Sequence, residues 1–192
     1  GVLLALQVIN ALILIPTSPD LIAERSRMQE DAKDWDKLLA PLVAYGPVLI
    51  TIIAGLDHRS GWGPEVALPV QLAALALVFL SSLLTTWAMT ANRFFSGLVR
   101  IQAERGHTVA TAGPYRYMRH PGYVAMIMFD LATPLALGSP WARIPALAVA
   151  GIVVLRTALE DRTLQAELPG YGEYARRVRY RLLPGVRTMR TP

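Results

Sequence analysis

The densest group of side chains suited to chemistry lies in residues 113–123, which read G-P-Y-R-Y-M-R-H-P-G-Y. Pro121 and Gly122 are typical of a turn into the first residues of a helix, where free N–H groups and partial positive charge can hold an anion. Because Arg116 and Arg119 lie close in sequence, this segment is suited to bind a carboxylate or a phosphate. Tyrosine and arginine also collect at the headgroup depth of a membrane, so an interfacial belt is the structural alternative.

A second group of ionisable residues, Arg156, Glu160 and Asp161, closes an apolar segment. Arg156 and Glu160 are four residues apart, so on a helix they share a face and can form an ion pair. Charges at this depth are costly and usually face a polar cavity, although a snorkelling arginine with an interfacial partner is equally compatible. Asp130 is a lone acidic residue in another apolar segment, where it either supports helix packing or lines a cavity.

Other kinds of site are not expected. The chain has no cysteine, and His58, His107 and His120 are far apart, so we predict no metal site. No glycine-rich dinucleotide motif, P-loop, G-x-S-x-G or H-E-x-x-H is present. The net charge of +5 comes from arginine clusters beside apolar segments, which is typical of a cytoplasmic membrane face and not of a nucleic-acid partner.

Membrane helices must position these residues. Of the 192 residues, 53% are hydrophobic and 17% are charged, whereas a soluble domain has about 25% charged residues. A membrane span needs about 20 apolar residues. Residues 66–91 form the clearest span, and the break Gly138-Ser139-Pro140 predicts a helical hairpin over 122–159. The five apolar segments are 1–16, 38–56 (interrupted by Pro41 and by Gly46-Pro47), 66–91, 122–137 and 141–159.

The basic residues orient the predicted spans. Segments 17–37 and 92–121 and the tail after Glu160 are rich in lysine and arginine, whereas 57–65 and the hairpin turn are poor in them. The positive-inside rule therefore places the rich segments in the cytoplasm. The sequence predicts an all-α fold: an integral membrane helical bundle of about five transmembrane helices with a cytoplasmic C-terminal region.

The two motif regions together resemble a known family. Residues 113–123 are similar to G-P-Y-R-Y-x-R-H-P-x-Y, a signature of the isoprenylcysteine carboxyl methyltransferase and phospholipid methyltransferase superfamily. Its second half is an acidic pair, a leucine, G-x-x-Y-x-x-Y-x-x-x-V and R-x-x-P. The sequence departs from it at Asp161, where glutamate is usual, and at 168–170, where Leu-Pro-Gly replaces Phe-Gly. The residues here that resemble the second half are Glu160, Asp161, Leu164, Tyr171, Tyr174, Val178, Arg181 and Pro184.

The resemblance covers about residues 92–185 and implies an integral membrane enzyme that uses S-adenosylmethionine without a Rossmann domain. The apolar segments predict three N-terminal transmembrane helices over 1–91, and the resemblance implies a catalytic region over 92–192 with the motif loop, the hairpin and a cytoplasmic cofactor-binding tail. Arg119 and the helix start would hold the cofactor carboxylate, tyrosine faces would accept the sulfonium, and His120 would contact the cofactor or brace the loop. The implied cofactor-binding residues are Gly113, Tyr115, Arg119, His120, Pro121, Tyr123, Glu160, Tyr171, Tyr174 and Arg181.

The resemblance leaves the methyl acceptor open. A prenylcysteine carboxylate is ionised and needs an orienting cation, for which Arg156 is the candidate. A phospholipid amine must lose a proton, for which Glu160 is the candidate base. Either acceptor would reach the active site from the bilayer, and membrane lipids are the expected partners. The alternatives are an NADPH-dependent sterol-reductase-like enzyme, whose tail resembles residues 178–184, and a non-catalytic membrane scaffold or transporter.

Overall fold

The computed structural model describes Leu12, residues 32–183 and Gly185. This part of the chain is helical and contains no strand, as the sequence predicts. Two short 3₁₀ turns, Ala103–Arg105 and Gly113–Arg116, lie in the loop between the second and third helices. The α-helices are α1 (Asp34–Ser60), α2 (Leu68–Ala91), α3 (Pro121–Ala136), α4 (Arg143–Glu167) and α5 (Tyr171–Arg177).

Helices α1 and α2 are long and apolar enough to cross a membrane. Their 27 and 24 residues exceed the roughly 20 residues that a bilayer core of about 30 Å requires. Less than a third of the residues in either span are buried inside the structure. Large apolar side chains such as Ile52 of α1 and Phe79 of α2 are exposed. Exposed apolar surface of this extent fits helices that face lipid and not the core of a soluble protein.

The other three predicted spans differ from these two. Helix α3 has 16 residues, which is about 24 Å and shorter than the bilayer core. Helix α4 has 25 residues, but it carries several charged side chains and is not among the helices that are apolar enough to cross a membrane. The first predicted segment, 1–16, lies outside the described residues apart from Leu12. Two of the five predicted spans are therefore supported, and the number five stays a prediction.

Helix α1 is continuous through Pro41 and Pro47, where the sequence predicts interruptions. Proline is tolerated in membrane helices when neighbouring helices and local hydrogen bonds support the backbone. The glycine beside Pro47 has a packing reason: a Cβ atom at Gly46 would lie 2.6 Å from Cγ2 of Val149. Gly46 therefore allows α1 and α4 to approach closely.

The helices contact one another in the order α2, α3, α4, α1, with further contacts between α1 and α3. Val43, Tyr123, Val149 and Val153 form a core cluster that joins α1, α3 and α4. Helices α1 and α2 thus stand at the two ends of this series.

The two ends of the bundle differ in charge. At one end, the Asp57 carboxylate accepts hydrogen bonds from the Ser139 hydroxyl at 2.6 Å and the Gly63 N–H at 3.0 Å. At the other end, Lys33 forms an ion pair with Glu167 at 2.7 Å. Lys33, the loop before α3 and the described part of the tail therefore share one end of the bundle, and the turns near Gly63 and Ser139 share the other.

The tail folds against the motif loop at the basic end. Leu168, Tyr171, Tyr174 and Val178 are buried together, and Val109 of the long α2–α3 loop packs against them. The sequence shows no separate core for these segments, but the structure gives them one. This small core carries several of the residues predicted to bind the cofactor.

Candidate active site

Asp161 of α4 is the centre of a buried polar network. Arg119 donates to its carboxylate through Nε at 2.8 Å and Nη2 at 3.0 Å. Three more side chains donate to the same group: Tyr171 at 2.9 Å, Gln165 at 2.9 Å and Arg181 at 3.2 Å. The side chain of Asp161 has no exposed surface. A carboxylate buried to this extent stays ionised only with such a set of donors.

The network joins the two halves of the sequence signature. His120 Nε2 lies 3.1 Å from Asp161 Oδ1 and 3.2 Å from the Tyr171 hydroxyl oxygen. The backbone N–H groups of Arg119 and His120 donate to carbonyls of residues 180 and 181 at 2.9 and 3.1 Å. The motif loop, α4 and the tail are therefore fixed to one another through hydrogen bonds at the same site.

The guanidinium of Arg119 has a different partner from the one that the sequence predicts. The resemblance implies that it holds a carboxylate of the cofactor, whereas in the structure it binds the carboxylate of Asp161. Its Nη1 also donates to the Val178 carbonyl at 3.0 Å. The pair is bidentate and buried, which is the strong geometry for arginine and carboxylate. Arg119 thus supports the loop, and cofactor binding by its side chain stays a prediction.

The predicted ion pair between Arg156 and Glu160 is not present. Arg156 instead donates to Asp36 of α1 through Nε at 2.6 Å and Nη2 at 2.8 Å. Nη2 also donates to the Gly97 carbonyl at 2.7 Å, and the guanidinium lies 5.4 Å from the ring centroid of Tyr123. Arg156 pairs with Asp36 because the Asp36 carboxylate contacts both Nε and Nη2, which is the strong bidentate geometry. Glu160, one turn along the same helix as Arg156, does not make this contact.

Glu160 is held by a neighbouring phenol. The Tyr123 hydroxyl donates to its Oε2. Within the described residues Glu160 has no ion-pair partner, so its negative charge is less compensated than that of Asp36 or Asp161. Glu160 and Arg156 both line the same cavity.

Three tyrosines of the site remain neutral at physiological pH. Burial raises the pKa of the Tyr115, Tyr171 and Tyr174 phenols, and the nearby carboxylate of Asp161 adds to the rise for Tyr171. The Tyr174 hydroxyl donates to the Tyr115 carbonyl at 2.7 Å. The Tyr171 and Tyr174 phenols therefore act as fixed hydrogen-bond donors, whereas the Tyr115 hydroxyl accepts a hydrogen bond from Asn92 Nδ2 at 3.3 Å.

His107 and Phe94 belong to the site but are not among the predicted residues. Their rings lie 4.5 Å apart between centroids, and both line the cavity. His107 Nδ1 accepts a hydrogen bond from the Gln102 N–H at 3.2 Å. Burial, with the charges of Arg100 and Arg105, lowers the pKa of His107 below its usual value, so the ring is neutral and carries its proton on Nε2. Phe94 and His107 lie in a loop segment that matches no motif, so the sequence does not indicate that they belong to the site.

A cavity of about 750 Å³ connects these groups. One part lies among the loop and tail residues at the basic end. The other part is lined by Val43 and Pro47 of α1 and by Ser82 and Thr85 of α2. The predicted site residues that line the cavity are Tyr115, Arg119, His120, Tyr123, Arg156, Glu160, Tyr171 and Tyr174.

The remaining predicted residues, Gly113, Pro121 and Arg181, support the walls. Gly113 has φ 56°, and a Cβ atom there would lie 2.9 Å from Ala91 and 3.0 Å from Nε1 of Trp87. Pro121 begins α3, where its missing N–H costs nothing. Arg181 donates to Asp161, as described above.

Two helices long and apolar enough to cross a membrane, together with a cavity lined by apolar and polar side chains, are typical of an integral membrane protein. Residues 72–166 match the model of the isoprenylcysteine carboxyl methyltransferase family. This match and the relatives below support the isoprenylcysteine carboxyl methyltransferase superfamily that the motifs indicate.

Three relatives illustrate the similarity. Protein-S-isoprenylcysteine O-methyltransferase B of Arabidopsis thaliana is 34% identical over 110 residues, which are 54% of this chain and 54% of the relative. Protein-S-isoprenylcysteine O-methyltransferase of Schizosaccharomyces pombe is 36% identical over 70 residues, 36% of this chain and 30% of the relative. The alignments thus span about half or less of these relatives.

The third relative has a different name. Cobalt-zinc-cadmium resistance protein CzcN of Cupriavidus metallidurans is 36% identical over 96 residues, which are 46% of this chain and 41% of the relative. Within residues 32–183 of this chain, no group of three or more His, Cys, Asp or Glu side chains could hold a metal ion.

Proposed function

We propose that this chain is a membrane methyltransferase that transfers a methyl group from S-adenosylmethionine to a lipophilic acceptor, in the first place an isoprenylcysteine carboxylate. The names of the relatives support the reaction and the acceptor class. The observation that carries the proposal is the single cavity that joins the buried polar network to the space between α1 and α2. A reaction between a water-soluble cofactor and a membrane-bound acceptor needs a site that both can reach.

The cavity residues fit the chemistry of S-adenosylmethionine, which supplies a methyl group bonded to a sulfonium. The volume of about 750 Å³ falls within the usual range for small-molecule sites, about 300–1,000 Å³. The Glu160 carboxylate and the ring of Tyr115 would face the cationic groups of the cofactor. The ring pair Phe94 and His107 offers an aromatic surface for the adenine.

Arg156 is placed to orient an acceptor carboxylate. Its hydrogen bonds to Asp36 and Gly97 use Nε and Nη2, and within the described residues Nη1 has no hydrogen-bond partner. Every fully buried side-chain nitrogen of the described residues has a partner, so Nη1 must remain accessible. Because the guanidinium is fixed at its other edge, it could align the acceptor without further loss of side-chain freedom.

The same cavity would serve an amine acceptor through Glu160. In that case its carboxylate would accept the proton that a phospholipid amine must lose before methylation. The basic-rich end of the bundle, which contains Glu160 and Asp161, would face the cytoplasm by the positive-inside rule.

The first test is a calorimetric titration of S-adenosylmethionine into the protein in lipid nanodiscs, with NADPH as the parallel ligand. We expect S-adenosylmethionine to bind, and Glu160→Gln to bind it at least about tenfold more weakly, since a charge-assisted contact is worth about 1.5–3 kcal/mol. Glu167→Gln makes the same change on the same helix, at the exposed pair with Lys33, and should bind as the wild type does. Binding of NADPH and not S-adenosylmethionine would replace the proposal with the reductase alternative.

A further inference from the structure

Arg156 and Glu160 lie one turn apart on α4 and line the same cavity, but they do not pair. Oppositely charged side chains at this spacing on a helix can form an ion pair. In the structure each side chain has a partner on another element instead. Arg156 binds Asp36 of α1, and Glu160 accepts a hydrogen bond from the Tyr123 hydroxyl of α3. Contacts from outside α4 therefore keep the two charges apart.

Tyr123 contacts both charged groups. Its hydroxyl donates to Oε2 of Glu160, and its ring centroid lies 5.4 Å from Cζ of Arg156. This distance is within the range of a cation–π contact, about 6 Å. One side chain thus lies against the guanidinium with its ring and against the carboxylate with its hydroxyl. Its position fixes where each of the two groups stands relative to the other.

The ring of Tyr123 is itself held in place by packing. It is buried in the core cluster with Val43, Val149 and Val153. Tyr123 lies in the first turn of α3, where its backbone N–H donates to the His120 carbonyl at 3.2 Å. Close-packed side chains in protein interiors keep a defined rotamer. The hydroxyl that holds Glu160 therefore has a fixed position in the cavity wall.

Arg156 has room for one more carboxylate. Its hydrogen bonds to Asp36 and Gly97 use Nε and Nη2, and within the described residues Nη1 has no hydrogen-bond partner. A Glu160 side chain released by Tyr123 could reach back along one helical turn to this nitrogen. The guanidinium would then bind an internal carboxylate at the place where the acceptor carboxylate is proposed to bind.

From this geometry we infer that Tyr123 is a positioning residue, which holds Glu160 away from Arg156 and so keeps the guanidinium open for the acceptor carboxylate. The inference rests on the proposed function for the role of Arg156 in acceptor binding. It concerns the charged end of the acceptor and applies to an acceptor with a hydrocarbon chain. Tyr123 acts here through Glu160 and not by contact with the acceptor.

The test compares two ligands that differ in charge: N-acetyl-S-farnesylcysteine, and the same molecule with a carboxamide in place of its carboxylate. Their dissociation constants are measured in nanodiscs without cofactor, and empty nanodiscs correct for partition into lipid. In the wild type we expect the acid to bind about tenfold or more tightly than the amide, as for a hydrogen bond to a charged group. In Tyr123→Phe the two ligands should bind about equally, because Glu160 then competes for Arg156.

Two further variants assign the effect to Glu160. Tyr123→Phe/Glu160→Gln removes the competing carboxylate, so the preference for the acid should return to the wild-type level or above it. Tyr117→Phe removes a phenol hydroxyl from an exposed side chain and should keep the wild-type preference. A general loss of structure would weaken both ligands alike, and the second substitution would not reverse it. A preference for the acid that survives in Tyr123→Phe, or that does not return in the double variant, would overturn the inference.

The inference stays testable if Tyr123→Phe does not insert. Glu160→Gln and the double variant both lack the Glu160 carboxylate, so their preferences for the acid should agree. A difference of about tenfold or more, as for a hydrogen bond to a charged group, would show that Tyr123 acts on the acceptor directly and would overturn the inference. Equal binding of acid and amide to the wild type would contradict the proposed role of Arg156 as well. A wild-type preference that Tyr123→Phe does not change would overturn the inference alone and leave the proposed function in place.

Discussion

Asp36 and Arg156 are 120 residues apart in the sequence and form a buried bidentate ion pair, with distances of 2.6 and 2.8 Å. The Asp36 carboxylate also accepts a hydrogen bond from the Val99 N–H at 2.6 Å. One carboxylate thus connects the first turn of α1, the long loop before α3 and the helix that carries Glu160. The cation that we propose for acceptor binding is positioned by a residue from the other half of the chain.

We expect the two residues of this pair to be strongly coupled. Asp36→Leu and Arg156→Leu should each destabilise the protein by about 3–5 kcal/mol, because each leaves a buried charge without its partner. The double variant should lose less than the sum of the single losses. Denaturant unfolding in detergent micelles measures the three values, and Arg162→Leu on the exposed face of α4 should stay within about 0.5 kcal/mol of the wild type. Additive losses would show that the pair does not act as a unit.

The carboxylate of Asp161 should be needed for both stability and ligand binding. In Asp161→Asn the guanidinium of Arg119 loses its buried counter-charge, so we expect a loss of about 3–5 kcal/mol in unfolding free energy and no detectable binding of S-adenosylmethionine. Asp34→Asn, whose side chain is exposed and paired only with Lys37, is the matched control. Normal binding of S-adenosylmethionine in Asp161→Asn would show that the Asp161 network is not needed for cofactor binding.

Stability should fall with acid through His107. Burial lowers the pKa of this ring, so the folded protein favours the neutral form and the unfolded chain takes up the proton first. The contribution is complete above the ordinary histidine pKa of about 6.5 and is lost as the pH falls from there toward the lowered folded value. His107→Asn should flatten the change in thermal midpoint between about pH 7.5 and pH 5.5, whereas the exposed His58→Asn should not. An unchanged slope in His107→Asn would contradict this assignment.

The close contact between α1 and α4 predicts opposite results for two glycines of one helix. Gly46→Ala should lower stability by about 1–3 kcal/mol, because the new methyl group would overlap the stiff side chain of Val149. Gly55→Ala has nothing within 4 Å of the new Cβ atom and should be neutral or stabilising. Val149→Ala should rescue Gly46→Ala. The measurement is the thermal unfolding of the wild type, Gly46→Ala, Gly55→Ala and the double variant Gly46→Ala/Val149→Ala. Equal thermal midpoints for Gly46→Ala and Gly55→Ala would contradict this packing.

Local sequence patterns predicted the helices well, and the partners of the charged groups poorly. The apolar run 66–91 and the break at Gly138 gave α2 and the α3–α4 connection to within a few residues, because both depend on nearby residues. The chain continues as helix through Pro41 and Pro47, where the sequence predicts interruptions, because neighbouring helices can support the backbone of a membrane helix at proline. The last predicted span ends near residue 159, and α4 continues beyond it to Glu167.

The site partners could not be found from spacing alone. The i, i+4 spacing predicts a pair between Arg156 and Glu160, but the Arg156 guanidinium binds the carboxylate of Asp36, which is 120 positions away. Asp36 lies in segment 17–37, whose basic residues are its most evident feature, and nothing local in the sequence marks Asp36 as buried. The signature did place Asp161 next to Glu160, yet its role as the centre of the network depends on the fold that brings Arg119 to it.

The central claim is tested most directly by methyl transfer in nanodiscs from tritiated S-adenosylmethionine. The acceptors are N-acetyl-S-farnesylcysteine and, in a parallel reaction, phosphatidylethanolamine. The account predicts labelled farnesylcysteine ester with the wild type and with Glu167→Gln, and a loss of at least about a hundredfold in kcat/KM, about 2.7 kcal/mol, with Arg156→Ala and Glu160→Gln. Label on phosphatidylethanolamine alone would move the acceptor to the amine class. No transfer to either acceptor, or full activity in both variants, would contradict the account.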